Sequence, residues 1–322
     1  MKYIIPSMLA ALSVPIMSSC SHVQNELPIY EASSIGFATH HDQKTEVDVQ
    51  VTDLGHGFYE LRTDQSGNVL MLVGDQGVVM VDSQMEHLVE SIDAAREDLS
   101  EGQDVKLVLN THLHRDHVRG NAYFAARGAQ IIAHPNVRKF LKTPRAIKSL
   151  GRDAPEIGGN YLPTISVTSG SSLNMNGQTG QLYHVPAAHT DGDIFVHFEE
   201  ANIIHAGDLL ASGRFPFIDI DNGGSVKGYI AGMEKILDIA NADTVIVAGH
   251  GPTSSETELK ASIQMLNETH SIIEGLLNKG LSLASMQETN PLKEYNDIWD
   301  WDFIGTDRMV SILYYDLTGK LE

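Results

Sequence analysis

Between Asn110 and Asn121 the chain reads NTHLHRDHVRGN, which places His112, His114, Asp116 and His117 within six residues. Imidazole and carboxylate are the side chains that bind divalent metals. An apolar run, VKLVLN, delivers the chain to this stretch. In an extended segment side chains alternate with period two, so His112 and His114 are expected to point the same way and to reach one ion. Asp116 and His117 follow where the chain bends toward a helix, and they diverge from the first pair. A second ion beside the first is the natural consequence. Three other stretches set a metal-binding side chain beside small residues after an apolar strand: His189 in PAAHTDGD, Asp208 in HAGDLL and His250 in AGHGP. Glycines nearby let backbone and ion approach closely. The sum is five histidines and two carboxylates, a donor set suited to zinc or another borderline metal.

These residues resemble the metallo-β-lactamase superfamily. THLHRDH matches its HxHxDH motif, and His189, Asp208 and His250 follow in the family's order. The resemblance runs from about Val47 to at least Pro252. It implies an α/β fold, a four-layer αββα sandwich with metals at one edge of its two sheets. It implies two zinc ions per chain, with iron or manganese as alternatives. His112, His114 and His189 would hold the first ion, Asp116, His117 and His250 the second, and Asp208 would bridge them. Asp82, in VMVDS, matches a strand-end aspartate that supports such a site from behind its ligands.

The activity that the resemblance implies is hydrolysis. A hydroxide held by two zinc ions would attack the carbonyl carbon of a small substrate, a β-lactam or a lactone or ester. Asp116 would be catalytic, orienting that hydroxide. In one subclass of zinc β-lactamases the Asp208 position is a cysteine, so the aspartate here resembles the glyoxalase II, lactonase and general hydrolase branches instead. Alternatives are a glyoxalase II-like thioester hydrolase, a persulfide dioxygenase, and a metal-binding lipoprotein without turnover. The tail from Ser255 lacks the basic cluster of a true glyoxalase II, and the complete donor set favours an enzyme over a binder.

Other histidines read as structural. His184, His197 and His205 sit in or near strands, and His134 ends a strand. Two segments are candidates for a wall over the metals. One holds Arg214, Phe215, Phe217 and Gly223–Gly224. The other holds Arg145, Lys148 and Tyr161, which could meet an anionic substrate.

The elements that must position these groups show in the patterning. VDVQVTDL alternates like a half-buried strand. GNVLMLVGDQGVVMVDS reads as two apolar strands turning at Gly74–Gly77. MEHLVESIDAAREDLS has helical spacing, and NAYFAARG suggests a helix ended by Gly128. Residues 136–162 read as an irregular or short helical insertion. SLNMNGQTGQLYHVPA turns at Asn176–Gly177, and DIFVHFEEANIIHAGD is a hairpin turning near Glu199–Asn202. VKGYIAGMEKILDIA and a segment from Ser255 to Gly280 are helical, and the aromatic tail is expected to pack back on the domain. Alternating strands and helices call for sheets covered by helices.

The net charge of −20 disfavours a nucleic-acid partner. The single cysteine, Cys20, rules out an internal disulfide. Residues 1–19 read as a signal peptide, with Lys2 before an apolar run that Pro6 and Pro15 interrupt. MSSC resembles a lipobox, which implies lipid attachment at Cys20, and residues 20–46 read as a tether to the membrane. Its His22, His40 and His41 read as solvated. Residues 47–322 are then one hydrolase domain, exported and facing the periplasm or anchored as an outer-membrane lipoprotein, with a small carbonyl compound as its partner.

Overall fold

The central strands are apolar on both faces, and that fixes the architecture. In the computed structural model, which describes residues 47–63 and 65–320, VLMLV and GVVMV form β3 (Val69–Gly74) and β4 (Gly77–Val81). Leu70, Leu72, Val79 and Val81 turn inward to the second sheet, while Val69, Met71, Val78 and Met80 turn outward to helices. Continuous apolar runs, rather than alternation, are what a strand covered on both faces requires. The signal peptide, the tether and Cys20 lie outside the described residues.

The first sheet continues from β1 (Gln50–Gly55) and β2 (Phe58–Arg62) through β3 and β4 to β5 (Val105–Leu109) and β6 (Gln130–Ala133). It is antiparallel up to β4, and β5 and β6 then add in parallel. Helix α1 (Val89–Ser100) makes the first of those crossovers. Next come α2 (Arg115–Val118), α3 (Asn121–Ala125) and α4 (Pro135–Leu141). Ile92 of α1 and Phe124 of α3 cover the outer face of this sheet. A small hairpin, β7 (Arg145–Ile147) with β8 (Arg152–Ala154), precedes the short edge strand β9 (Ile165–Ser166).

The second sheet runs in order from β10 (Ser172–Met175) and β11 (Gln178–Val185) to β12 (Asp193–Phe198), β13 (Ile203–Ala211) and β14 (Val245–His250). Its inner side chains, among them Ile194, Val196, Phe198 and Val247, meet the first sheet in one core. Phe58 and Phe198 touch across the gap with ring centroids 4.7 Å apart. On its outer face pack α5 (Val226–Ile239), α6 (Glu256–Asn278) and, after α7 (Leu283–Thr289) and α8 (Asn296–Trp299), α9 (Thr306–Thr318). Buried Leu259, Leu266 and Ile273 recur every seventh residue of α6, and Ser255 with Glu258 closes its start as a capping box. The layers are therefore helix, sheet, sheet, helix, as expected. Among the described residues no helix is long and apolar enough to cross a membrane.

Three local expectations change. The strand at VDVQVTDL starts at Gln50 and is almost wholly exposed, with Val51 at 44%. It is an edge strand paired only to β2, so alternation does not bury its face. The helix in MEHLVESIDAAREDLS begins only at Val89, because Asp82 and Gln84 take left-handed backbone angles and the chain turns before α1. The insertion at 136–162 contains the β7–β8 hairpin as well as short helical turns.

One side chain ties the two sheets together beside their common edge. Asn68, between β2 and β3, donates its backbone N–H to Gly249 O at 2.7 Å. Its side-chain amide donates to Ala248 O at 3.0 Å and Gly251 O at 2.8 Å. All three acceptors belong to the end of β14 and the turn after it. Asn68→Ala would leave buried carbonyls unpaired, and it should lower stability by about 1–3 kcal/mol. Urea unfolding of the metal-free protein reads this directly, and a loss below about 0.5 kcal/mol would show that the clamp is dispensable.

Candidate metal centre

All seven donors singled out above converge at one edge of the two sheets. His112 and His114 lie in the loop after β5, Asp116 and His117 on α2, His189 between β11 and β12, Asp208 in β13, and His250 at the end of β14. They fall into two sets, His112, His114, His189 and Asp208, and Asp116, His117 and His250. The facing atoms of each set lie within 4.8 Å of one another. His114 Nδ1 is 3.1 Å from His112 Nε2 and 2.8 Å from His189 Nε2. Asp116 Oδ2 is 3.4 Å from His117 Nε2 and 3.2 Å from His250 Nε2. Asp208 belongs to both: Oδ1 lies 3.1 Å from His117 Nε2, and Oδ2 lies 3.4 Å from both His189 Nε2 and His250 Nε2.

These separations test the fit of a metal. Zinc–nitrogen bonds of about 2.0–2.1 Å in a tetrahedron put neighbouring donor atoms about 3.3 Å apart, close to the values here. His117 Nε2 and Asp208 Oδ1 are buried, and neither has a hydrogen-bond partner among the described residues. Such orphans are rare in native interiors unless an ion or water takes them. The donor set and its geometry fit divalent ions.

The opposite nitrogen of four imidazoles is held, which fixes the tautomer and aims the free lone pair. His117 Nδ1 meets Asp82 Oδ2 at 2.7 Å, and Asp82 also accepts from Thr111 N and Thr111 Oγ1, both at 2.8 Å. Thr111 Oγ1 in turn sits 3.0 Å from His112 Nδ1. His189 Nδ1 donates to Phe217 O at 2.7 Å. His114 is reversed: its Nε2 meets Asp219 Oδ2 at 2.7 Å, so Nδ1 faces the other donors. Asn222 Nδ2 donates to the same Asp219 oxygen at 2.6 Å, and Arg145 Nε donates to Asn222.

The motif loop is closed by its own ends. Asn110 and Asn121 exchange side-chain hydrogen bonds of 3.0 and 2.7 Å, and Asn110 Nδ2 also donates to His117 O at 3.0 Å. The chain between them bends rather than runs extended. The rings of His112 and His114 stand at 87°, so they reach a common point through different nitrogens and not by strand alternation. Asp208 lies inside β13 rather than after it, where the register with β14 shifts. At Gly249 a Cβ would fall 2.0 Å from Asp208 Oδ1. The glycine in AGHGP thus makes room for a ligand carboxylate.

Burial and the mutual field set the charges. Burial holds the His112 imidazole well below its usual range, and it brings His189 down to about 4. Burial also opposes charge on Asp208 and Asp116, but the facing imidazoles, His117 foremost, outweigh it and hold both well below the carboxylate range. His117 and His250 go the other way: Asp208 and Asp116 overcome burial, raising His117 well above its ordinary value and His250 to about 9. The carboxylates of the second set thus favour a positive charge beside them, and a metal and a proton would compete for the same imidazoles.

Beside the two sets opens a cavity of about 750 Å³. Arg214 and Phe217 line it, as the wall expectation has it. Phe215 is buried in the core instead, and a Cβ on Gly224 would meet His189 O, so that glycine packs under the His189 loop. Arg145, Lys148 and Tyr161 do not line the cavity. Arg145 is engaged with Asn222, and Tyr161 donates to Glu86. Leu150 and Arg152 of the same insertion do line it, as do Trp301 and Phe303 from the tail. His134 and His184 stack on each other 3.7 Å apart, away from the donors. Neither they nor buried His205 joins either set. Asp219, Thr111 and Asn68 had no signal in the sequence, because His114, Asp82 and the end of β14, the partners that decide their roles, are distant along the chain.

Residues 62–262 match the sequence model of the metallo-beta-lactamase superfamily. The metallo-beta-lactamase type 2 of Elizabethkingia meningoseptica is 21% identical over 208 residues, covering 64% of this chain and 77% of that protein. A metallo-beta-lactamase from Pontibacter korlensis superposes with a TM-score of 0.55 at 16% identity, over 68% of this chain and 99% of that one. The stereoselective inverting sec-alkylsulfatase Pisa1 from Pseudomonas sp. superposes with a TM-score of 0.63 at 14% identity, over 84% of this chain but 50% of that one. At these identities the structural likenesses speak for the fold, and the sequence match over more than half of the chain speaks for descent. The chain belongs to the metallo-β-lactamase superfamily.

Proposed function

We propose that this chain is a binuclear zinc-dependent hydrolase acting on a small carbonyl compound, a β-lactam or a lactone or ester. The observation that carries this reading is Asp208, whose two oxygens face donor nitrogens of both sets. His112 Nε2, His114 Nδ1 and His189 Nε2 would hold one ion, and Asp116 Oδ2, His117 Nε2 and His250 Nε2 the other, with Asp208 between them. An all-nitrogen-and-oxygen set with no thiolate suits zinc, and it also admits iron or manganese. A pair of such ions supplies Lewis acidity, lowering the pKa of water to about 7 and stabilising charge that builds on a carbonyl oxygen.

The chain's own groups do the rest. Asp82, Thr111, Asp219 and the Phe217 carbonyl keep four imidazoles in the tautomers that donate lone pairs inward. Asp116 Oδ2 faces the nitrogens of its set, which leaves Oδ1 to accept a hydrogen bond from the attacking water and so orient it. The cavity alongside is of small-molecule size. A second reading comes from the sec-alkylsulfatase likeness, which spans more of the chain than the lactamase likenesses do: the same centre would then hydrolyse a sulfate ester. Export and lipid anchoring at Cys20 belong to this proposal as well, since they would set the enzyme where lactams act.

Protein stripped with chelator should regain about two equivalents of zinc, and turnover of a chromogenic lactam, a lactone, an aryl ester or an alkyl sulfate should return with them. His112→Ala should lose metal and activity together. Asp208→Ala should bind about one equivalent fewer, and unchanged stoichiometry would refute the bridging role. Absence of chelator-sensitive turnover on the whole panel would leave a metal-binding protein, and iron-dependent oxygen uptake with a persulfide would move it to the dioxygenases. Separately, labelled lipid should enter the full chain and not Cys20→Ser, and equal labelling would overturn the anchoring reading.

A further inference from the structure

Among the described residues, basic side chains outnumber acidic ones around the cavity, against the charge of the chain as a whole. The chain carries 22 basic and 42 acidic residues. Among the described residues, the charged side chains that line the cavity are Arg62, Arg115, Arg152 and Arg214, with Asp116 and Asp208 as the acids. Both acids belong to the donor sets. Arg62 donates to Gln50 at 2.8 Å, and Arg214 lies 4.9 Å over the Trp301 ring. Arg115 sits between two donors in the sequence, and Arg152 is brought in by the β7–β8 hairpin. Both are exposed, and among the described residues neither guanidinium has a hydrogen-bond or ion-pair partner.

A second feature adjoins the first. Phe217 lies 5.7 Å from the His114 ring and 5.7 Å from Phe303, and Trp301 lies 5.8 Å from His250 and 5.6 Å from Phe303. These rings form a continuous apolar strip from the donors outward, ending at Phe303, which is 40% exposed. Trp301 is fixed in place by its indole N–H, which donates to Phe215 O at 2.9 Å, and Phe215 N donates to Trp299 O at 2.7 Å. Trp301 and Phe303 lie beyond residue 262, where the family match ends. The strip is thus built partly by a segment outside the family match.

We propose that the cavity selects an oxyanion carrying an apolar body, with Arg115 and Arg152 reading the anion and Trp301, Phe303 and Phe217 receiving the body. A guanidinium presents paired donors that match a carboxylate or a sulfate, and such bonds are stronger than neutral ones. The aromatic strip removes apolar surface from water alongside. The consequence for turnover rests on the hydrolase reading, but the selectivity itself can be read from binding alone.

The test uses the full metal-loaded chain with phenylbutyrate, phenylbutyramide and phenylethyl sulfate, followed by calorimetry and by tryptophan fluorescence. Each anion should bind about tenfold more tightly than the amide, and that preference should weaken with added salt. The tighter of the two anions identifies the oxyanion. Arg115→Gln with Arg152→Gln should remove most of the preference, while Phe303→Ala or Trp301→Leu should weaken anion and amide alike by about fivefold. A preference that survives intact in the double arginine variant would place the anion on the metals and overturn the proposal, as would equal binding of anion and amide to the unaltered protein. In turnover, the kcat/KM ratio of a carboxylate-bearing chromogenic lactam to its methyl ester should fall about tenfold in the double variant. No turnover of either compound, with the binding preference present, would remove the hydrolase reading and leave the selectivity standing.

Discussion

A buried carboxylate between two groups of imidazoles is the constraint on which the rest of this structure depends. The Asp208 side chain is 11% exposed, with Oδ1 shut off from water. Charge in such a place is tolerated only when it is matched. The match comes from both sides at once, so the strands that carry the two donor sets must end at the same height. The fold achieves this by letting β13 run on through Asp208 with a shifted register. Gly249 on the neighbouring strand leaves the space that its carboxylate fills. Asn68 then pins the end of β14 from the other sheet, so that His250 cannot drift from its partners.

The same constraint explains why the support lies behind the ligands and not only among them. An imidazole donates one lone pair, and it must be told which. Asp82 performs that service for His117 while accepting two bonds from Thr111, and Thr111 also meets His112. One aspartate at the end of β4 therefore orients one ligand of each set. Its left-handed backbone angle is unusual for a residue other than glycine. The bonds that converge on its carboxylate make that local strain tolerable.

The donors were legible in the sequence because their types are uncommon together and because each lies at or near the end of an apolar run. The layered architecture was legible for a related reason: runs apolar at every position need cover on both faces. What the sequence concealed is everything decided by contacts distant along the chain. Asp219 sits in a loop that reads as an ordinary wall, and only the fold brings it to His114, 105 positions earlier. The reversal of His114, which offers Nδ1 where its neighbours offer Nε2, follows from that contact and from the bend between Asn110 and His114. Strand alternation predicted convergence of the pair for a reason that does not operate. The exposure of β1 was hidden likewise, since an edge strand and a central one can share a pattern and differ only in what lies beside them.

Division of the molecule follows from these two kinds of information. The donors stand on strand ends and on one short helix, held by bonds that leave them little freedom. Beside lining groups from the frame itself, such as Arg62 and Arg115, the cavity takes others from pieces set outside it: the β7–β8 hairpin, the loop after β13 and the tail at Trp301 and Phe303. Trp301 rests on the frame through its bond to Phe215 O, and the loop after β13 holds two donors directly, His189 through Phe217 O and His114 through Asp219. The hairpin is joined to the same frame. Arg145 of the hairpin holds Asn222, Asn222 holds Asp219, and Asp219 holds His114. The hairpin beside the cavity is thereby in hydrogen-bonded contact with a member of the donor set, so cavity wall and metal centre share a physical link even though they are built on different elements.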